Sequence, residues 1–216
     1  MIKKYLGLDR LNWRCLGLGA LCLIMPLLAA AGAPVVLIYG DSLSAGYGLP
    51  REAAWPVLLE KRLAQAHLNY RVVNASISGE TTAGGLARLP RALGEHRPAV
   101  VVLELGANDG LQGLPLAAMG RNLETMVTQA RQAGARVLLV GMRLPPNYGA
   151  YGENFRQTYP TLARRLKLPL VDFLLAGMAD QPALFQGDGL HPVAAAQPRL
   201  LDNVWKGLHP LLKGGR

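Results

Sequence analysis

The sequence predicts one α/β domain, a doubly wound sandwich in which helices cover both faces of a parallel sheet. Three observations carry that expectation. With 216 residues the chain can bury one full hydrophobic core but not two comfortable ones. Half of the residues are hydrophobic and only 17% are charged, which excludes a disordered, highly charged polymer. From Val35 onward, continuous apolar runs alternate with stretches of helical apolar spacing, the pattern of strands buried on both faces by crossover helices.

The elements follow in order. Residues 1–31 begin with Lys3, Lys4, Arg10 and Arg14, continue as an apolar run from Cys15 to Ala31, and end in small residues. That order of positive, apolar and small is the order of a secretory signal, with a cleavage point after Ala29-Ala30-Ala31. The alternative is an uncleaved anchor, but Pro26 interrupts a run that is already at the short end for crossing a bilayer. The expected product is therefore residues 32–216, one domain, exported to the periplasm or secreted and without stable membrane insertion. Both cysteines, Cys15 and Cys22, fall in the first segment, so the rest offers no disulfide, thiolate ligand or cysteine nucleophile. The formal charge of +9 divides as +3 for residues 1–31 and +6 for the remainder. The basic residues of the remainder are scattered, with no interleaved aromatic side chains for base stacking, so no nucleic-acid partner is expected.

Strands are expected at Val35–Tyr39, Arg71–Asn74, Val100–Glu104, Val137–Met142 and Leu170–Phe173. Helices are expected at Glu52–His67, Leu86–His96, Leu116–Ala133, Asn154–Leu166 and Ala194–Leu211. In such sheets the ligand crevice lies beyond the carboxyl ends of the strands. Polar and glycine residues gather there, in Gly40-Asp41-Ser42-Leu43, in Ala75–Gly79, in Gly106-Ala107-Asn108-Asp109 and in Arg143–Tyr148.

The chain has four serines (Ser42, Ser44, Ser76, Ser78) and four histidines (His67, His96, His191, His209), so a Ser–His mechanism has few assignments. Ser42 directly follows a buried strand, where a tight turn lifts its hydroxyl into the crevice, but a hydroxyl needs a base to become a nucleophile. His67, His96 and His209 fall at or near helix ends, where a surface or dipole role suffices. His191 instead lies in the loop Gly187-Asp188-Gly189-Leu190-His191-Pro192, with Asp188 three residues upstream to orient its ring. Gly79 offers a backbone N–H and Asn108 a side-chain amide to a developing oxyanion. Each also has a plain reading as a turn residue.

In their order, Gly40-Asp41-Ser42-Leu43, Gly79, Gly106-Ala107-Asn108-Asp109 and Asp188-Gly189-Leu190-His191 resemble the four blocks of the SGNH hydrolases, also called the GDSL esterase/lipase family. The resemblance runs from about Val35 to Trp205, and Val72–Thr81 and Pro145–Gly149 are most similar to its bacterial periplasmic thioesterase, arylesterase and lysophospholipase branch. It implies a flavodoxin-like α/β/α sandwich with five parallel strands. It further implies Ser42 as nucleophile, His191 as base and Asp188 as its partner, with Ser42 N–H, Gly79 N–H and the Asn108 amide forming the oxyanion hole. The substrate would be an acyl ester, a thioester or a lysophospholipid, handled by a monomer without cofactor or metal. Leu111, Leu114, Leu144, Pro145 and Tyr148 are candidates for an apolar acyl groove, with core or loop packing as the other reading. Ala107 departs from the glycine frequent in that branch, which bears on the following loop Gly110–Leu114 and on chain-length preference.

Two rivals remain at this level. A carbohydrate O-deacetylase would use the same catalytic residues with a different pocket, and a non-catalytic flavodoxin-like binding module would have no need for Ser42, Asn108 and His191 together. An α/β-hydrolase is disfavoured because no serine lies in a Gly-x-Ser-x-Gly elbow, and a metalloenzyme because there is no helical His-x-x-x-His pair.

Overall fold

The computed structural model describes residues 32–213; the signal segment expected over residues 1–31 lies outside them. Five strands form one parallel sheet: β1 (Val35–Gly40), β2 (Arg71–Asn74), β3 (Val100–Glu104), β4 (Arg136–Val140) and β5 (Leu170–Val171), in the order β2-β1-β3-β4-β5. All residues of β1 and β3 are buried, because β-branched and leucine side chains on both faces meet a helical layer. The strand order reverses direction between β1 and β3. The two strands stay paired to their last residues, but the chain leaves them in opposite directions along the sheet, the switch point beyond which a crevice forms.

Seven helices complete the domain: α1 (Ser42–Ala45), α2 (Trp55–Gln65), α3 (Thr82–His96), α4 (Ala107–Leu111), α5 (Leu116–Gln132), α6 (Gly149–Leu166) and α7 (Gln197–Lys213). Helix α2 packs on α7, while α3 packs on α5 and α5 on α6, giving the two outer layers of the sandwich. Trp55, fully buried, opens α2, and its backbone N–H donates to Gln197 Oε1 (3.0 Å) at the start of α7.

The boundaries differ from the sequence reading where local chemistry outweighs apolar spacing. Helix α3 starts four residues before the expected Leu86, with Thr81 as its cap accepting from Gly84 N–H. Gly84 and Gly85 weaken the helical signal in sequence, yet Gly85 lets the helix approach the sheet. A Cβ there would lie 2.5 Å from Leu105, and the Gly85 carbonyl accepts from Tyr39 Oη at 2.7 Å. Helix α6 likewise starts at Gly149 instead of Asn154, its first turn hidden by Gly149 and Gly152. Helices α2 and α7 start three residues late because 3₁₀ turns, Arg51–Ala53 and Ala194–Ala196, occupy the expected first turns. Strand β4 spans Arg136–Val140 rather than Val137–Met142, and β5 stops at Val171 rather than Phe173. Short α1 and α4 were not expected as helices. Both begin shortly after strands, α1 at Ser42 beyond β1 and α4 at Ala107 beyond β3.

Candidate active site

The Ser42 segment is built by close backbone approach. Gly40 ends β1, and a Cβ there would fall 2.5 Å from Glu104 Oε2 and 2.9 Å from Ser44 Oγ. Any larger residue would push the elbow away from the sheet. Asp41 caps α1 by accepting from Leu43 N–H (3.0 Å), and Ser42 becomes the first helical residue. Ser44 is fully buried and donates to Glu104 Oε2 at 2.6 Å, so its hydroxyl is committed beneath the site. Burial, together with neighbouring Asp41, pushes the Glu104 carboxyl well above the usual range.

Ser42 Oγ lies 2.9 Å from His191 Nε2, and His191 Nδ1 lies 2.7 Å from Asp188 Oδ2. Asp188 Oδ1 accepts from the backbone N–H groups of Leu190 (2.9 Å) and His191 (3.0 Å). The His191 N–H, the His191 ring and the Leu190 N–H, in that order, hold the Asp188 carboxyl down at about 2. The remaining histidines are elsewhere: His67 follows α2, His96 ends α3, and His209 stacks on Trp205.

Gly79 has φ of +79° and is the third residue of a turn closed by Glu80 N–H to Ile77 carbonyl (3.2 Å). Only a left-handed residue suits that position, and a Cβ there would meet nothing, so conformation rather than space requires glycine. Arg88 on α3 fastens this turn by donating to the Ala75 carbonyl (2.7 Å) and pairing with Glu80. Asn108 Nδ2 donates to the Glu80 carbonyl (2.9 Å), and its second hydrogen faces Asp41 Oδ2 only at 3.4 Å. Asp109 accepts from both Thr82 N–H (2.8 Å) and Thr82 Oγ1 (2.5 Å), locking the start of α4 to that of α3. The segments after β2 and β3 are thus one hydrogen-bonded unit.

Ser42, Asn108 and His191 open onto a cleft of about 590 Å³. Leu111, Leu144 and Pro145 line it; Leu114 and Tyr148 do not. The Tyr148 hydroxyl donates to the Leu111 carbonyl (3.0 Å), and the Leu114 carbonyl accepts from Tyr151 Oη (2.7 Å), so both brace the loop that carries Leu111. Sequence reasoning missed Met142, Phe173, Leu175 and Phe185, which extend the apolar lining. Phe173 had a usable signal, since it follows β5 at a strand carboxyl end. Tyr47 had none: its exposed ring packs on the His191 imidazole at a centroid distance of 4.5 Å. Among the described residues no group of three His, Cys, Asp or Glu side chains could hold a metal, and no helix is long and apolar enough to cross a membrane.

Residues 38–198 match the GDSL-like Lipase/Acylhydrolase family. The chain belongs to that family. Esterase TesA of Pseudomonas aeruginosa is 53% identical over 193 residues, covering 88% of this chain and 96% of that protein. The Thioesterase 1/protease 1/lysophospholipase L1 of Escherichia coli K12 is 43% identical over 193 residues, 89% of this chain and 91% of that protein. A crystal structure of TesA superposes with a TM-score of 0.80, covering 82% of this chain and 99% of that one at 53% identity. As a member of the family, the chain is a serine ester or thioester hydrolase with the flavodoxin-like strand order.

Proposed function

We propose that Ser42 is the acylated nucleophile, that His191 relays its proton, and that Asp188 fixes the tautomer and orientation of the His191 ring. The observation that carries this reading is the unbroken run Ser42 Oγ, His191 Nε2, His191 Nδ1, Asp188 Oδ2, at 2.9 and 2.7 Å, opening onto an apolar cleft. Ser42 Oγ attacks the acyl carbon while neutral Nε2 takes its proton; Asp188⁻ stabilises the imidazolium that results. The Ser42 and Gly79 N–H groups and the loosely held second hydrogen of Asn108 stabilise the oxyanion. Collapse of the tetrahedral intermediate passes the Nε2 proton to the leaving alcohol or thiol. Water then repeats the sequence on the acyl-enzyme and regenerates Ser42.

The substrate is an ester or thioester with an acyl chain longer than acetyl. Leu111, Met142, Leu144, Phe173, Leu175 and Phe185 offer a run of apolar surface that a two-carbon group would leave mostly unfilled. All of these groups come from one chain, so a monomer suffices. Export of residues 32–216 is part of the proposal and rests on the order of residues in the N-terminal segment.

A chain-length series of p-nitrophenyl esters and acyl thioesters on the mature protein tests the reading. The expected result is kcat/KM rising from acetyl to medium chains and vanishing in Ser42→Ala; a maximum at acetyl overturns the acyl-groove assignment. N-terminal sequencing of the protein from fractionated cells tests the export step.

A further inference from the structure

The base is carried on a loop that the sheet does not reach. His191 belongs to the segment after the 3₁₀ turn Pro182–Leu184, and its only regular pairing is the isolated antiparallel bridge Phe185–Pro192. Asp188 orients the ring within that loop but cannot fix the loop against Ser42, which opens α1 just beyond β1. Something must tie the two segments together at hydrogen-bond precision.

Gln186 makes that tie. Its backbone N–H donates to the His191 carbonyl at 2.7 Å, and its carbonyl accepts from Gly189 N–H at 2.9 Å, closing the loop on itself. Its side-chain Nε2 reaches out of the loop to the Tyr47 carbonyl (2.8 Å) and also faces the Pro192 carbonyl (3.3 Å). Tyr47 is five residues after Ser42, its N–H donates to the Ser42 carbonyl (3.1 Å), and its ring packs on His191. One amide therefore bridges the nucleophile turn and the base loop. The seat is shaped for it: Gly48 has φ of +72°, and a Cβ there would lie 2.2 Å from Gln186 Oε1 and 3.0 Å from its Cδ.

We propose that Gln186 is a positioning residue for catalysis, holding His191 Nε2 in line with Ser42 Oγ by bonding its side-chain amide to the turn that follows the nucleophile. The inference rests on the assignment of His191 as the base. It adds a residue that touches neither substrate nor the reacting atoms. Gln186 is needed as a donor: both acceptors it meets are carbonyl oxygens, so a carboxylate of the same shape repels them.

The test is steady-state kinetics of Gln186→Ala and Gln186→Glu, with the rate of covalent labelling by a fluorophosphonate as a direct measure of Ser42 reactivity. Misplacing a reacting group by about 1 Å costs roughly 100-fold. The expected result is a kcat and labelling rate lower by about 10- to 100-fold, with KM changed by less than about threefold and Tm close to wild type. Gln186→Glu should lose at least as much as Gln186→Ala. Gly48→Ala displaces the same amide from the other side, so the double variant Gly48→Ala/Gln186→Ala should lose less than the product of the two single losses. If both Gln186 variants keep kcat and labelling rate within about twofold of wild type, the proposal is overturned, and a drop in Tm alone reduces Gln186 to a loop-stabilising residue. His191→Ala run in parallel separates the two readings: retained turnover there defeats the base assignment itself, whereas abolished turnover beside unaffected Gln186 variants defeats only the positioning role.

Discussion

Asp41 stands just beyond the end of β1 with 1% of its surface exposed, and burial pushes its carboxyl up to about 7 against the opposing pull of the Leu43 N–H and His191. Asp188 stands in a loop with 38% of its side chain exposed, and hydrogen bonds from His191 and Leu190 hold it down at about 2. The same side chain, on either side of one serine, is thus protonated up to neutral pH in one place and ionised far into acid in the other. In the proposed mechanism the difference follows function. The group that stabilises an imidazolium must be charged, and solvent helps it to be so. The group beneath the elbow needs only to cap α1 and fill space beside Glu104, and there a charge is a cost.

The largest test of that division is at the serine. Ser42→Ala should lower kcat by roughly 10⁵- to 10⁶-fold, the scale of losing a triad nucleophile, and fluorophosphonate label should disappear rather than move to Ser44, Ser76 or Ser78. Next come the two aspartates themselves. Asp188→Ala should cost about 10⁴-fold in kcat, whereas Asp41→Asn keeps the cap acceptor and should leave kcat little changed. If the two variants are equally damaged, the contrast drawn from their surroundings is wrong.

Asn108→Ala ranks third, at about 100- to 1000-fold in kcat with a much smaller change in KM, because its amide acts on the oxyanion rather than on bound substrate. A loss of stability with normal turnover in the folded fraction would leave Asn108 as only the link between Glu80 and α4. The smallest effect is on stability against pH. The folded-state value of Asp41 is raised above its unfolded value of about 3.9, so its contribution is complete below that pH and is lost as pH rises through about 7. Asp188 has the opposite sign: its contribution is present above about 3.9 and is lost as pH falls through about 2. Urea unfolding from pH 4 to 8 should show a decline in wild type, shared with buried Glu104, that Asp41→Asn lessens and Asp188→Asn does not; parallel slopes for all three would reject the buried-acid reading. A fall in activity between pH 4 and 7 then belongs to some group other than Asp188.

The parts of this molecule that rest on continuous apolar runs were legible beforehand. Five strands, their parallel arrangement and the positions of Ser42, Gly79 and Asn108 just beyond strand ends follow from runs such as Val100–Glu104 and from the polar residues next to them. The starts of α3 and α6 were not, because paired or spaced glycines lower helix propensity; at Gly85 a close approach to Leu105, visible only in three dimensions, requires the glycine. The apolar cleft was half legible. Leu111, Leu144 and Pro145 follow strands and line it, but Leu114 and Tyr148 turn their backs on it to brace the loop through carbonyl hydrogen bonds. Gln186 and Tyr47 were invisible, since a side chain that bridges residues 139 apart leaves no periodicity and no motif.

The strand-by-strand division of the site has a consequence for how such a catalyst diversifies. Ser42, the proposed nucleophile, follows β1, and His191, its proposed base, belongs to the loop of residues 186–192. The apolar lining comes largely from other segments: Leu111 from beyond β3, Met142 and Leu144 from beyond β4, Phe173 and Leu175 from beyond β5. Substitutions in those three segments can therefore change which acyl groups are accepted while leaving the 2.9 Å contact between Ser42 and His191 intact. Selectivity and reactivity are inherited separately. A library confined to Leu111, Leu144, Phe173 and Leu175 would explore new substrates with few members lost to a broken triad, and natural relatives can drift apart in substrate by the same route.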